Sequence, residues 1–196
     1  SRKDIKSVFS GLRPLAIDKE NEMSTKEISR HHKVLVSASG LISVLGGKWT
    51  TYRKMAEDTI NTAISVAGLP DRACITKNLP ISGYDYNSDW TNPMHVYGTD
   101  IDRIKLIDKI DFAKSLSKKF FISKNQIIWA IKNEMAIKLE DILARRTRCL
   151  FLDSKETINI APEVLEIMAE EMDKNSEWKE KELNNFIKLA LKYQIK

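Results

Sequence analysis

The chain has 196 residues, 42% hydrophobic and 30% charged, enough for one large domain or a small domain plus a fragment. No apolar run approaches the roughly 18 residues of a membrane span. A formal charge of +5, with no basic run carrying interleaved aromatics, argues against nucleic acid as a partner.

The two cysteines, Cys74 and Cys149, lack metal or redox spacing, which indicates a reducing compartment and argues against a disulfide frame. The start, Ser1-Arg2-Lys3-Asp4-Ile5, is polar, has no Met and resembles no leader, so an excised piece of a longer protein is expected. Charge is unevenly placed: residues 1–68 hold 11 Lys+Arg against 7 Asp+Glu, and residues 69–196 hold 21 against 20. That excess fits a local anion site in the first third.

In chain order, residues 4–10 read as a strand leading into the turn Ser10-Gly11-Leu12-Arg13-Pro14-Leu15. Gly11 and Pro14 bracket Arg13, whose guanidinium fork suits a carboxylate, a phosphate or a substrate oxygen, although a solvated loop arginine would read the same. Residues 16–29 are polar and read as loop, followed by Ile28-Ser29-Arg30-His31-His32. Adjacent histidines on a strand point to opposite faces and no carboxylate or cysteine cluster accompanies them, so no metal site is expected. Lys33–Ser37, the turn Ala38–Gly40 and Leu41–Leu45 read as a hairpin.

The stretch that organises the chain comes next. The strand Leu41–Leu45 runs into Gly46-Gly47, then Lys48, then Trp49, with Thr50 or Thr51 as N-cap of a helix. Apolar residues at Met55, Ala56, Ile60, Ala63, Ile64 and Ala67 keep helical spacing until Gly68 and Pro70. A helix whose positive end emerges from a two-glycine turn, with Lys48 and Arg53 nearby, attracts an anion or an electron-rich ring edge. An ordinary β-turn-α junction has the same pattern.

Residues 69–98, rich in Pro, Gly, Asn, Asp and Ser, read as a connector. From Thr99 onward five helices are expected: one carrying Ile101, Ile104, Ile107 and Ile110; one capped by Ser123; one over Leu139–Arg145; one with Pro162 at its first helical position; and one capped by Asn175 or Ser176. Their Met and aromatic positions read as core. The cluster Asp141–Arg148 has the charge to bind an anion, but the favoured reading is structural: Arg145 or Arg146 is expected to pair with Glu134 or Asp141 and fasten helix to helix. The fold class is α+β, short strands plus one helix followed by an all-α domain, with residues 1–68, 69–98 and 99–196 as domain, connector and domain.

Three motifs and the tail together carry a resemblance. Ser10–Leu15, Ile28–His32 and Gly40–Glu57, in that order, resemble the C-terminal part of the FAD-dependent, aerobic-type glycerol-3-phosphate dehydrogenases. Tyr97-Gly98, Glu134-Met135-Ala136 and Asp141–Arg148 resemble that family's helical C-terminal domain. The family's dinucleotide turn, G-x-G-x-x-G, does not occur here. The resemblance therefore implies a fragment: the last strands and one helix of the flavin-binding α/β domain, then the whole helical domain.

The resemblance further implies oxidation of sn-glycerol 3-phosphate to dihydroxyacetone phosphate, with electrons passing to a quinone. Gly46, Gly47, Lys48, Trp49 and Thr50 would bind FAD, Arg13 would contact the C2 oxygen as the catalytic residue, and Arg30 and Lys48 would hold the phosphate with it. It implies a cytoplasmic protein, peripheral on the cytoplasmic membrane in its full-length form, with no nucleic-acid partner. The fragment alone is expected to be inactive and without FAD. An oxygen-using glycerol-3-phosphate oxidase and a non-catalytic helical docking or stability module are the alternatives. The two lone cysteines speak against the anaerobic multi-subunit enzyme with its cysteine-rich tail.

Overall fold

The computed structural model describes residues 1–12, 32–108, 112 and 114–195. The chain divides into two compact units: a hairpin unit, Gly11–Ile81, and a helical unit, Ser1–Ser10 together with Ser82–Lys196. The α+β class expected from the sequence is what the chain adopts. Among the described residues, no helix is long and apolar enough to cross a membrane.

In the hairpin unit, β1 (His32–Val36) and β2 (Ile42–Gly46) pair antiparallel, with His32 opposite Gly46, Val34 opposite Val44 and Val36 opposite Ile42. The loop closes because Ser37 works twice: its N–H donates to Leu41 O at 2.9 Å, and its Oγ accepts from Leu41 N–H at 3.0 Å. One 3-10 turn, Trp49–Thr51, leads into α1 (Tyr52–Ala67), which packs on both strands and ends at Gly68.

The helical unit comprises α2 (Ile101–Lys105), α3 (Lys124–Asn133), a π-helical segment (Asp141–Arg146), α4 (Cys149–Leu152), α5 (Ser154–Glu171) and α6 (Ser176–Ala190). Its core joins Ile127 of α3, Ile142 and Leu143 of the π-helix, Leu150 of α4, Val164 and Met168 of α5 and Phe186 of α6. The caps follow sequence logic. Ser123 Oγ accepts from Gln126 N–H while Gln126 Oε1 accepts from Ser123 N–H at 2.8 Å, a reciprocal capping box. Asn175 Oδ1 accepts from Trp178 N–H at 2.9 Å.

Several sequence expectations meet a different outcome. Residues 4–10 form no strand: Arg2–Asp4 make one 3-10 turn, and the backbone beyond it bonds to helix ends instead of a sheet. The helix expected around Ile101–Ile110 is α-helical only to Lys105. There the buried Asn125 takes over, its Nδ2 donating to Ile104 O at 2.8 Å and Asp108 O at 2.9 Å. Pro162 lies inside α5, eight residues past its first residue. The helix starts earlier because Asp153 caps it, its Oδ1 accepting from Glu156 N–H at 2.9 Å. The expected helix over Leu139–Arg145 is π-helical from Asp141; Arg146 Nε meets Glu134 Oε2 at 3.6 Å and links the segment to the end of α3 as anticipated, whereas Arg145 pairs with Asp141 at 3.1 Å within the segment itself. Met135, grouped with the core by pattern, is 84% exposed at φ +55, where it ends α3. Within residues 82–98, Met94 and Tyr97 are buried with Ile104 and Trp129 as a second small core.

Candidate functional site

The glycine turn and the start of α1 enclose a cleft of about 600 Å³. Its walls are Val44 of β2, the Gly46–Trp49 turn, and Tyr52, Met55, Ala56, Thr59 and Ile60 of α1. The turn needs its glycines. Gly47 has φ +82, and a Cβ there would come within 2.5 Å of Met55 Sδ and 3.2 Å of His32 Cβ. A side chain at Gly47 would be strained at this φ and would have to push the Met55 thioether aside.

The N-terminal end of α1 has no side-chain cap. Neither Thr50 nor Thr51 performs the expected role. Thr51 holds the N-cap position, but its Oγ1 turns back, donating to Lys48 O at 2.9 Å and accepting from Lys48 N–H at 3.2 Å. The hydroxyl therefore rigidifies the 3-10 turn and leaves the positive end of a 16-residue helix beside the cleft. Trp49, 90% exposed, stands near Tyr52 with ring centroids 6.3 Å apart.

Charge around the turn is sorted by pairing. Arg53, expected to reinforce the site, donates instead to Glu57 at 2.8 Å and Thr76 at 3.3 Å. Lys54 pairs with Asp58 at 2.8 Å, and Asp58 also meets His32 Nε2 at 2.9 Å. The Lys54 bond, with a smaller part from His32, holds the Asp58 carboxyl below the usual range. Lys48 enters no ion pair among the described residues and is the cation at the cleft mouth.

The two thiols differ. Cys74 is exposed, and the Thr76 hydroxyl and N–H lower its pKa. Burial pushes Cys149 up to about 11, so it is inert at neutral pH. Among the described residues, no group of three His, Cys, Asp or Glu could hold a metal ion.

Of the site residues expected from the sequence, Gly46, Gly47, Lys48 and Trp49 line this cleft, and Thr50 lies in the adjoining 3-10 turn. Arg13 and Arg30 lie outside the described residues. Sequence reasoning missed the His32–Asp58 bond and the Met55–Gly47 contact. The i, i+4 spacing of Lys54 and Asp58 was legible, but nothing local links either to His32.

Residues 74–182 match the family described as the C-terminal domain of alpha-glycerophosphate oxidase. The chain belongs to that family. Its relatives align beyond the matched segment and take in the glycine turn. It is 34% identical to a probable mitochondrial glycerol-3-phosphate dehydrogenase of Dictyostelium discoideum, over 94% of this chain and 32% of that protein. It is 34% identical to the mitochondrial glycerol-3-phosphate dehydrogenase of Mesocricetus auratus, over 95% of this chain and 28% of the relative. A probable glycerol-3-phosphate dehydrogenase of Encephalitozoon cuniculi is 32% identical over all of this chain and 34% of its own length. This family member thus spans about a third of the length of the curated relatives it matches.

Proposed function

We propose that the chain is the C-terminal part of an FAD-dependent enzyme that oxidises sn-glycerol 3-phosphate to dihydroxyacetone phosphate and passes electrons to a quinone. The observation that carries this reading is the cleft at Gly46–Trp49, in a chain aligned over nearly all its length with proteins named for that activity. Its residues fit one edge of a flavin ring. Gly47 presents backbone without a Cβ, the helix end is uncapped, and Lys48 has a free charge among the described residues. When bound, FAD supplies the acceptor for the hydride leaving C2.

The chain's own residues do the rest. Gly46, Gly47, Lys48, Trp49 and Thr50 hold the flavin edge. Lys48 and Arg30 bind the phosphate, and Arg13 orients the C2 oxygen and favours its developing negative charge. The exposed apolar side chains Val44, Leu45, Trp49 and Ile60 suit a face covered by the rest of a longer protein. In this reading the 196-residue chain alone binds no FAD and is colourless and inactive. The full-length enzyme works peripherally at the cytoplasmic face of a membrane. Because the matched family is described by an oxidase, oxygen is the alternative acceptor. Oxygen uptake against anaerobic quinone reduction separates the two.

Steady-state kinetics on the full-length protein test the assignment. Arg13→Lys keeps the charge and loses the planar fork, so turnover should fall by roughly two orders of magnitude at unchanged flavin content. Arg30→Ala should act mainly on KM, because the phosphate carries the same charge before and during reaction. If Arg13→Lys raises KM alone, the catalytic assignment of Arg13 is wrong.

A further inference from the structure

Within the hairpin unit, the first residue of β1 packs against the glycine turn. His32 lies opposite Gly46 in the strand register, at the end of the hairpin away from the loop that Ser37 and Leu41 close. The side of Gly47 that lacks a Cβ looks onto His32 and Met55: a Cβ there would fall 3.2 Å from His32 Cβ and 2.5 Å from Met55 Sδ. The turn that brings Lys48 to the cleft therefore rests on two side chains, one from a strand and one from a helix.

A side chain supports a turn only as well as it is itself held. Met55 is carried by α1, and Asp58, three residues on, shares its face of that helix. Asp58 uses both of its oxygens. Oδ1 accepts from Lys54 Nζ at 2.8 Å, and Oδ2 lies 2.9 Å from His32 Nε2. With an ammonium beside it the carboxyl stays ionised and can only accept, so Nε2 carries a proton and donates it. A hydrogen bond to an ionised acceptor is about twice as strong as a neutral one. This one joins the start of β1 to α1 where the turn touches both.

We propose that His32, anchored by Asp58, is a positioning residue for the glycine turn and sets where the turn's backbone and Lys48 meet the flavin edge. The inference rests on the proposed function, which gives that turn to FAD. A binding edge displaced by an ångström loses affinity and turnover even when each contacting group is still present.

His32→Ala removes the support, and His32→Gln returns an N–H donor to Asp58. Ser37→Ala loosens the same hairpin at its far end and is the control. The Lys48 and Thr51 amides are bonded to one another's residues across the 3-10 turn. In the 196-residue chain, their exchange should rise about tenfold in His32→Ala, stay near wild type in His32→Gln and Ser37→Ala, and remain unchanged over residues 62–67 of α1. In the full-length protein, the FAD dissociation constant should rise about tenfold in His32→Ala and stay within twofold in the other two variants. Unchanged exchange at Lys48 and Thr51 would overturn the role of His32 in the turn. Failure of His32→Gln to recover either readout would overturn the anchoring by Asp58. Exchange that rises equally through α1, or FAD loss as large in Ser37→Ala, would make His32 a general stabiliser of the hairpin unit and overturn the positioning role. A wild-type full-length protein that binds FAD but leaves glycerol 3-phosphate unoxidised would sink the proposed reaction alone, and the exchange and FAD results would then decide the role of His32 by themselves.

Discussion

The helical unit buries Ile142, Leu143, Leu150, Val164 and Met168 completely, whereas no described residue of the hairpin unit is buried. Val44 and Leu45, in the middle of β2, remain 40% and 46% exposed. One unit is held by a hydrophobic core, at roughly 1.5–3 kcal/mol for each fully buried aliphatic side chain. The other keeps its shape through strand pairing, a glycine turn pressed on Met55, and the Lys54–Asp58–His32 chain of bonds. The contrast teaches where each part draws its stability: the helical unit from itself, the hairpin unit from directional contacts that leave its apolar face open.

The largest effect should come from the core. Leu143→Ala should cost the helical unit about 3 kcal/mol, while Leu45→Ala on the open face should cost under about 1 kcal/mol. Urea denaturation of both variants checks this, and equal losses would erase the contrast. Next comes Gly47→Ala, which forces a side chain to positive φ against Met55 and should destabilise the hairpin unit by about 1–2 kcal/mol. Amide exchange should report faster opening in β1, β2 and α1 with α5 unaffected.

Ser123→Ala removes the α3 cap and should cost about 1 kcal/mol, read as a lower denaturation midpoint of the helical unit alone. The smallest effect is electrostatic. Burial would raise the Asp153 carboxyl, but the Glu156 N–H and the Lys119 ammonium outweigh it, so its pKa lies below the ordinary value. A depressed carboxyl contributes stability that is complete above its unfolded pKa, about 3.9, and is lost as pH falls through the lower folded value. Asp153→Asn should therefore flatten the acid limb of the helical unit's stability–pH curve below about pH 4. An unchanged acid limb would remove Asp153 from that account.

Much of this comparison was legible in the sequence. The β-branched runs around Ala38-Ser39-Gly40 fixed the hairpin, and Gly46-Gly47 before a helical repeat marked the cleft, because turns and periodicities are local properties. Ser123 and Asn175 announced their helices for the same reason. Pro162 misled, since a proline tolerated inside a helix looks like one at its start until the Asp153 cap is seen. Met94 and Tyr97 were hidden in a stretch without periodicity.

By itself the sequence determined the hairpin, the Ser123 and Asn175 caps, the glycine turn and the family, each being encoded within a few neighbouring residues or by their order along the chain. Tertiary structure alone decided which partners those residues found. It turned Ile5–Phe9 from an expected strand into a strap on helix ends, because backbone donors and acceptors bond to whichever groups the fold brings near. It brought Thr76 to Arg53 and left Lys48 at the cleft, and it shortened α2 through Asn125. Those outcomes depend on contacts between residues far apart in sequence, and no local pattern encodes a distance.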